Sequence, residues 1–276
     1  MRILLLVIIM LTYYCSNAAD TTPYSCKYRY IRQKDSTNIN SKFDDIMILT
    51  MTNKSSIYYS YLKQFGFRNM ETDENKDNYN VVGNSVIVDQ GKPNNYFISN
   101  ESEIIGIDYK NKNINFSDKF FKNSYSYVDT LTPPKWQVGT STMIILNQVC
   151  QMATTNYRGR KYIAWFAMSI PFRMGPWLFS GLPGLILKVE DDKKQFLFEC
   201  IELNTPVSTT KVFKPYQNSK KITKKQLLAK KKLSIQNFIT FMEVESGVTI
   251  TASDNSGNKV STNRPDRPYN PIDLTQ

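Results

Sequence analysis

The sequence predicts a mainly β protein: a curved antiparallel β-meander that forms an open barrel or half-barrel, with one or two helices packed against it. Three observations lead to this prediction. Short segments that alternate apolar and polar residues recur along the chain, as they do in half-buried strands. Turn-forming residues separate these segments at close intervals. Only the stretch 220–242 has apolar residues at helical spacing over any length.

The N-terminus has the three parts of a secretory signal peptide. A basic residue precedes an apolar run at 3–11, and small residues at Ser16 and Ala18 mark a cleavage site. A transmembrane helix needs about 20 apolar residues, so this run is too short to be one. Cys15 offers the alternative of lipidation, but bulky residues precede it where that processing needs small ones. We expect cleavage after about Ala18 and export to the periplasm or outer envelope.

The rest of the chain, 19–276, is expected to form a single β-rich domain with an extended C-terminal tail. Its length allows one large core, 13% of the residues are aromatic, and no linker rich in Pro, Gly or Ser divides it. Residues 71–80 are polar and indicate a loop. Strands are predicted at 26–32, 46–52, 56–61, 85–89, 95–99, 104–109, 114–116, 143–154, 162–169, 185–190 and 195–203.

The predicted helix at 220–242 carries much of the net charge of +11. Two interpretations are open: a basic amphipathic helix that contacts an anionic membrane surface, or an ordinary helix that packs its apolar side on the sheet. A basic chain can also bind nucleic acid, but an exported protein does not meet that partner. The clustered lysines are Lys220, Lys221, Lys224, Lys225, Lys230, Lys231 and Lys232.

The segment 165–190 combines large apolar residues with turn-forming ones, which is typical of buried chain that changes direction. Pro183 presets the φ of one turn position and Gly184 tolerates a positive φ at the next, so we expect a type II turn there. The hexapeptide around this turn is Gly181, Leu182, Pro183, Gly184, Leu185 and Ile186.

This hexapeptide resembles the signature for which the GLPGLI family is named. The resemblance extends upstream through Arg158-Gly159-Arg160 and Gly175-Pro176, and it returns near the C-terminus at Tyr269-Asn270-Pro271-Ile272-Asp273-Leu274. Members of the family are secreted or envelope proteins of Gram-negative bacteria without an agreed biochemical activity. The resemblance therefore implies a location, and it implies no catalytic residue.

The composition argues against catalysis. The chain contains no histidine, which removes Ser-His-Asp and Cys-His sites and most catalytic zinc sites. Two Ser-x-x-Lys matches, at 208–211 and 256–259, lack the Lys-Thr-Gly that would have to follow them. The carboxylates at 190–192 are interpreted as a solvated turn. We expect no catalytic residue, no metal and no cofactor, and we keep an enzyme of unknown class only as a third hypothesis.

Three cysteines remain after signal cleavage, and none has the spacing of a redox motif or a zinc site. In an oxidising compartment we expect one disulfide and one thiol. The candidate pairs are Cys150 with Cys200 and Cys26 with Cys200. In the alternative, all three stay reduced and buried.

Two binding functions compete. Trp165, Trp177 and Phe179 either fill the core or line a groove for a lipid or other apolar ligand, and the groove is our first hypothesis. The alternative is an accessory protein–protein interaction subunit of an envelope export or receptor system. The first hypothesis requires an apolar cavity near these residues. The second requires a closed core and an exposed patch or sheet edge.

Overall fold

A computed structural model describes residues 23–61, 79–82, 85–88, 102–120, 123–204, 216, 218–247, 249, 252–253, 259–260 and 266–275. The predicted signal peptide, Cys15 and the predicted strand at 95–99 lie outside these residues, as does most of the predicted loop at 71–80.

The strands, in chain order, are β1 (Tyr24–Gln33), β2 (Lys42–Met51), β3 (Ser55–Ser60), β4 (Tyr79–Val82), β5 (Ser85–Val88), β6 (Ile104–Asp108), β7 (Asn113–Phe120), β8 (Asn123–Thr130), β9 (Gln137–Ile145), β10 (Gln148–Tyr157), β11 (Arg160–Ala167), β12 (Leu185–Asp191), β13 (Phe196–Asn204), β14 (Lys220–Lys221), β15 (Ala252–Ser253) and β16 (Lys259–Val260). The helices are α1 (Lys224–Gln236) and α2 (Phe238–Ser246). β4 with β5 and β15 with β16 form small separate ribbons.

The other twelve strands form one sheet in the order β14-β8-β7-β6-β3-β2-β1-β13-β12-β11-β10-β9. It consists of two antiparallel meanders, one through β1, β2, β3, β6, β7 and β8 and one through β9 to β13. They meet where β1 pairs with β13. Among the described strands, the outermost two, β14 and β9, do not pair with each other, so the sheet stays open. This confirms the predicted mainly β architecture with two helices.

Aromatic side chains from both meanders share one core. Tyr30 of β1 stacks on Phe198 of β13 with ring centroids 4.7 Å apart. Phe179, in the loop between β11 and β12, is fully buried and lies 5.8 Å from Phe198 and 4.8 Å from Tyr162 between centroids. Burying a ring of this size contributes about 1.5–3 kcal/mol. The long β11–β12 loop is therefore part of the core rather than a surface excursion.

The hexapeptide at 181–186 ends this loop and begins β12. Gly181 has a φ of 97°, whereas Gly184 is not among the described glycines with positive φ. The expected type II turn at Pro183-Gly184 was therefore wrong. A Cβ on Gly184 would lie 2.2 Å from the carbonyl oxygen of Ala167, so this position needs glycine because two backbone segments pass very close together.

The predicted helix at 220–242 is two helices. α1 begins with a capping box, in which the Thr223 side chain accepts the Gln226 N–H and the Gln226 side chain accepts the Thr223 N–H. Asn237 separates the helices because its side chain accepts an N–H from the first turn of α2. Leu227 is the fully buried residue of α1, and it packs into the main core.

The C-terminal segment 266–275 is held by a buried arginine. The Arg160 guanidinium donates to Asn270 Oδ1 at 2.6 Å and to the carbonyl of Pro271 at 2.7 Å. It also lies 3.3 Å from Asp191 Oδ2. Asp191, which we expected in a solvated turn, is only 1% exposed. That expectation was wrong because Arg160 supplies the charge that lets this carboxylate be buried.

Candidate functional site

β9 forms one edge of the twelve-stranded sheet. Most residues of β9 are exposed, and among the described strands it pairs with β10 alone. The outer side of such a strand presents backbone N–H and C=O groups that can pair with a strand of another chain. Natural edges are usually protected by lysine, by proline or by being very short. β9 has nine residues and contains no charged residue and no proline.

The sequence explains why this region forms an exposed hairpin. Residues 137–157 contain no Asp, Glu, Lys or Arg, in a chain whose net charge is +11. Val, Ile and Thr recur in β9, and such residues favour extended backbone. Leu146 and Asn147 then form a tight turn with φ values of 48° and 60°. The single strand expected at 143–154 was wrong, because this turn divides it between β9 and β10.

An exposed apolar row lies at one end of this edge. Ile144 of β9 is opposite Val149 of β10, and Met168 directly follows Ala167, the last residue of β11, which pairs with Cys150 of β10. Ile144, Val149 and Met168 are 73%, 67% and 61% exposed. Exposed apolar residues beside a strand with one unpaired side are typical of an interaction surface. We call β9 together with these three residues the free edge.

A β-bulge divides the free edge into two parts. The register between β9 and β10 shifts between Gln151 and Ala153, and a bulge bends the strand and disturbs its outward hydrogen-bonding groups. Residues 142–145 pair regularly with β10, and they lie next to the apolar row. The regular part of the edge is therefore also its most apolar part.

Side-chain hydrogen bonds hold the β9–β10 hairpin in place. Tyr157 Oη donates at 2.9 Å to the carbonyl of Thr132, in the segment between β8 and β9. Gln151 Nε2 donates to the carbonyl of Gly139, within β9, at 2.7 Å. These contacts fix the edge strand in an extended conformation without a partner, which lowers the entropy cost of binding one.

The three aromatic residues of the predicted groove do not lie together. Trp177 and Phe179 are in contact in the β11–β12 loop, with centroids 5.3 Å apart. Trp165 is partly buried on β11, and strand alternation places it on the face opposite Tyr162 and Phe166. The structure thus brings together two of the three predicted residues.

A small cavity lies beside Trp177, between the sheet, α1 and the C-terminal segment. Its volume is about 60 Å³, and its lining includes Arg32, Glu103 and Lys231. Lys231 Nζ donates to Glu103 Oε2 at 2.8 Å. Pockets that hold drug-sized ligands measure about 300–1,000 Å³, so the cavity suits a small group better than an acyl chain. Binding of an apolar ligand stays a prediction.

Three of the seven clustered lysines pair with carboxylates: Lys224 with Asp129, Lys230 with Glu245 and Lys231 with Glu103. The exposed ones are Lys220, Lys221, Lys225 and Lys232. Neither described helix combines the length and the apolar character that crossing a bilayer requires. The predicted membrane-surface contact depends on the exposed lysines and stays a prediction.

The cysteines Cys26, Cys150 and Cys200 are buried thiols, and no disulfide joins them in this structure. The β1–β13 register makes Cys26 and Cys200 diagonal neighbours on the buried side of the sheet, and Cys200 is the largest cause of the raised pKa of the Cys26 thiol. Burial raises the pKa of the Cys150 thiol to about 11, which keeps it protonated and unreactive near neutral pH. In the described part of the chain, no group of His, Cys, Asp and Glu side chains is arranged to hold a metal ion.

Comparison with known proteins gives a family match and a fold match. A family model described as "Protein of unknown function (Porph_ging)" matches residues 157–188, which include β11 and the hexapeptide. None of the curated proteins matches the chain.

Two solved structures of PNGF-II are similar in fold. The one in space group P21 has a TM-score of 0.51 and 11% identity, and the match covers 76% of this chain and 33% of that chain. The one in space group C2 has a TM-score of 0.50 and 12% identity, with coverage of 76% and 32%. This chain spans about a third of the PNGF-II chains. At such identity the similarity concerns the fold alone.

Proposed function

We propose that this protein is a secreted, non-catalytic envelope protein of the GLPGLI type that binds an extended segment of another envelope protein through the free edge. One observation carries the proposal: a nine-residue, uncharged edge strand beside an exposed apolar row. This is the accessory-subunit function among the two predicted from the sequence. The family match at 157–188 supports the GLPGLI type because it contains the hexapeptide.

Binding occurs by strand addition. Backbone hydrogen bonds between β9 and the partner segment supply affinity, and alternate side chains of the segment supply specificity. Residues 142–145 form the regular ladder on which the segment pairs. Ile144 and Val149 provide the apolar surface for its side chains.

The chemistry of the free edge defines the partner segment. A charged side chain placed against the row of Ile144, Val149 and Met168 would lose water without gaining a counter-charge. The paired part of the segment is therefore uncharged, with apolar side chains such as valine at alternate positions. The net charge of +11 attracts acidic residues at the ends of the segment and accelerates their encounter.

A synthetic peptide of this chemistry tests the proposal. The probe is fluorescein-labelled Glu-Glu-Thr-Val-Thr-Val-Thr-Val-Thr-Glu-Glu, and its control carries N-methyl groups on alternate backbone amides of the same sequence. We expect the probe to bind by fluorescence anisotropy and to slow amide hydrogen exchange at 142–145. Ile144→Lys should weaken binding by about tenfold or more. The control variant is Ile39→Lys, in the loop after β1, where the isoleucine is 70% exposed. This substitution should not weaken binding of the probe.

Three results would overturn the proposal. One is equal binding of the N-methylated control, because strand addition requires the backbone donors. Another is unchanged binding of the Ile144→Lys variant. The third is a dimer, seen by light scattering, that Ile144→Lys converts to a monomer, since a second copy of the chain would then occupy the free edge.

A further inference from the structure

A pair of thiols lies at the seam between the two meanders, far along the sheet from the free edge. Cys26 on β1 and Cys200 on β13 are 0% and 2% exposed. β1 and β13 pair antiparallel, with Cys26 opposite Leu203 and Cys200 opposite Tyr28. The register shifts between Lys27 and Tyr28, which makes the two cysteines diagonal neighbours, and Cys200 is the largest cause of the raised pKa of the Cys26 thiol.

We propose that Cys26 and Cys200 form a disulfide bond when the chain folds in the presence of a small-molecule or protein disulfide, and that Cys150 remains a thiol. A disulfide requires cysteines on adjacent backbone segments with their side chains directed at each other. Cys26 and Cys200 are diagonal neighbours on adjacent strands and are both buried on the same side of the sheet.

The position of the pair gives the bond a structural role. β1 is the first strand of one meander and β13 is the last strand of the other, so the bond closes a loop that contains nearly all of the twelve-stranded sheet. Lys27 and Glu202 form an ion pair of 2.6 Å at the same seam. A covalent link here restricts the unfolded chain over a long loop, where the gain in stability is largest.

The chemistry is ordinary thiol–disulfide exchange. The thiolate of one cysteine attacks a sulfur of the external disulfide, which forms a mixed disulfide and releases one external thiolate. The second cysteine then displaces the other external thiolate and forms the bond between Cys26 and Cys200. Two cysteine thiols are oxidised, one external disulfide is reduced to two thiols, and the two cysteine protons pass to the leaving thiolates.

Burial determines when the reaction occurs. The neighbouring Cys200 and burial together raise the pKa of Cys26 well above its ordinary value, and the thiolate is the reactive form. The folded, reduced chain therefore reacts slowly, and the bond forms while β1 and β13 are still associating.

Cys150 is the matched control within the same chain. It is also fully buried, but its thiol donates to the carbonyl of Gln148, its own strand neighbour, at 3.5 Å. Cys150→Ser should leave the bond in place. Cys26→Ser and Cys200→Ser should each abolish it.

The test is refolding of the reduced, unfolded full chain, in a Cys15→Ser background, in a buffer of reduced and oxidised glutathione. The refolded chain is quenched with an alkylating agent in denaturant. Once the mass of the attached label is subtracted, we expect it to be about 2 Da lighter than the reduced chain, because two hydrogens are lost. We also expect one labelled thiol, at Cys150, and a proteolytic peptide pair that links Cys26 to Cys200. The urea midpoint of this chain should fall on reduction.

Three labelled thiols after refolding, or a linked peptide that contains Cys150, would overturn the proposal. The peptide map of the chain with all three cysteines decides the matter even if a serine variant fails to fold. Failure of this test leaves the free edge unaffected, because the two sites share no residue.

Discussion

β9 and β14 are the outermost strands at the two ends of the sheet. β9 has nine residues and none of them is charged, whereas β14 consists of two lysines. Lys220 and Lys221 pair in parallel with β8, and α1 follows directly and packs against β8. Leu227 of α1 is 1% exposed, and Lys224 lies 3.2 Å from Asp129 of β8. We call this the covered end.

The two edges of the sheet differ in how well they are protected against the addition of another strand. Lysine on an edge strand, a very short edge strand and a helix laid beside it all prevent another strand from adding. The covered end has all three, whereas β9 has none and keeps only a bulge. Since the same sequence protects one edge thoroughly, the accessibility of the free edge is a specific feature of its own residues rather than a consequence of an open sheet.

Truncation of one aliphatic side chain at each end gives the largest expected difference. Leu227→Ala leaves a cavity between α1 and the sheet, and it should lower the free energy of unfolding by about 2–5 kcal/mol. Ile144→Ala removes a side chain that is 73% exposed, so its effect should stay within about 0.5 kcal/mol. Urea unfolding of both variants, with unchanged m-values, measures the two effects.

Similar losses in the two variants would contradict the contrast. They would mean that Ile144 is covered in solution, and the oligomeric state of the unsubstituted chain would then identify a second copy as the cover. Ile39→Ala serves as the exposed control, because this isoleucine is 70% exposed and lies in a loop away from both ends.

The covered end should also respond to acid. Glu245 of α2 accepts hydrogen bonds from Tyr125 Oη at 2.6 Å and from Asn123 Nδ2 at 3.3 Å, both on β8, and it pairs with Lys230 of α1. Burial raises the pKa of Glu245, but the hydrogen bonds from Lys230 and Tyr125 outweigh burial and hold this pKa below its ordinary value. A carboxylate with a lowered pKa stabilises the fold above its unfolded pKa, and this stability is lost as the pH falls through the folded pKa.

We therefore expect the free energy of unfolding to decrease as the pH falls below about 4.5, with a shallower decrease in Glu245→Gln. The effect should be smaller than that of Leu227→Ala, because only one charge changes. Ile144→Lys should keep the unsubstituted profile. Urea unfolding at several pH values between about 3 and 6 measures the three profiles, and identical slopes for Glu245→Gln and the unsubstituted chain would contradict the prediction.

The fold class could be predicted because strand periodicity is local. Alternation in 46–52 and 104–109 depends only on neighbouring residues, and those segments are strands of the sheet. The separation of α1 from α2 was harder to predict, because it depends on a cap at Asn237 inside an otherwise helical pattern. The role of Gly184 could not be predicted, since the backbone of Ala167 that approaches it is distant in the chain until the loop folds back.

The free edge was missed for a related reason. Leu146 has a left-handed backbone conformation, which is usually adopted by glycine. Because no glycine is present at 146–147, the sequence pattern did not predict the turn between β9 and β10. The charge-free run at 137–157 was visible in the sequence and could have directed attention there. Whether a strand lies at the edge or the centre of a sheet depends on the order of strands, which no local pattern specifies. The burial of Asp191 was missed because its partner, Arg160, lies on another strand.

The smallest expected effect tests whether the lysines at the covered end do more than protect it. Lys220, Lys221, Lys225 and Lys232 are exposed on neighbouring positions of β14 and α1, and clustered lysines attract anionic lipid over roughly 10 Å at 0.1 M salt. We expect weak sedimentation with vesicles of anionic lipid, none with neutral vesicles, and loss of binding as salt is added. Changing these four lysines to serine should abolish binding. As a control, four exposed lysines elsewhere are changed to serine: Lys42, Lys110, Lys161 and Lys193. This variant has the same net charge as the first but keeps the lysine cluster, so its binding to the vesicles should fall less. Equal losses in the two variants would mean that net charge alone acts, and the covered end would then serve the fold and not a membrane.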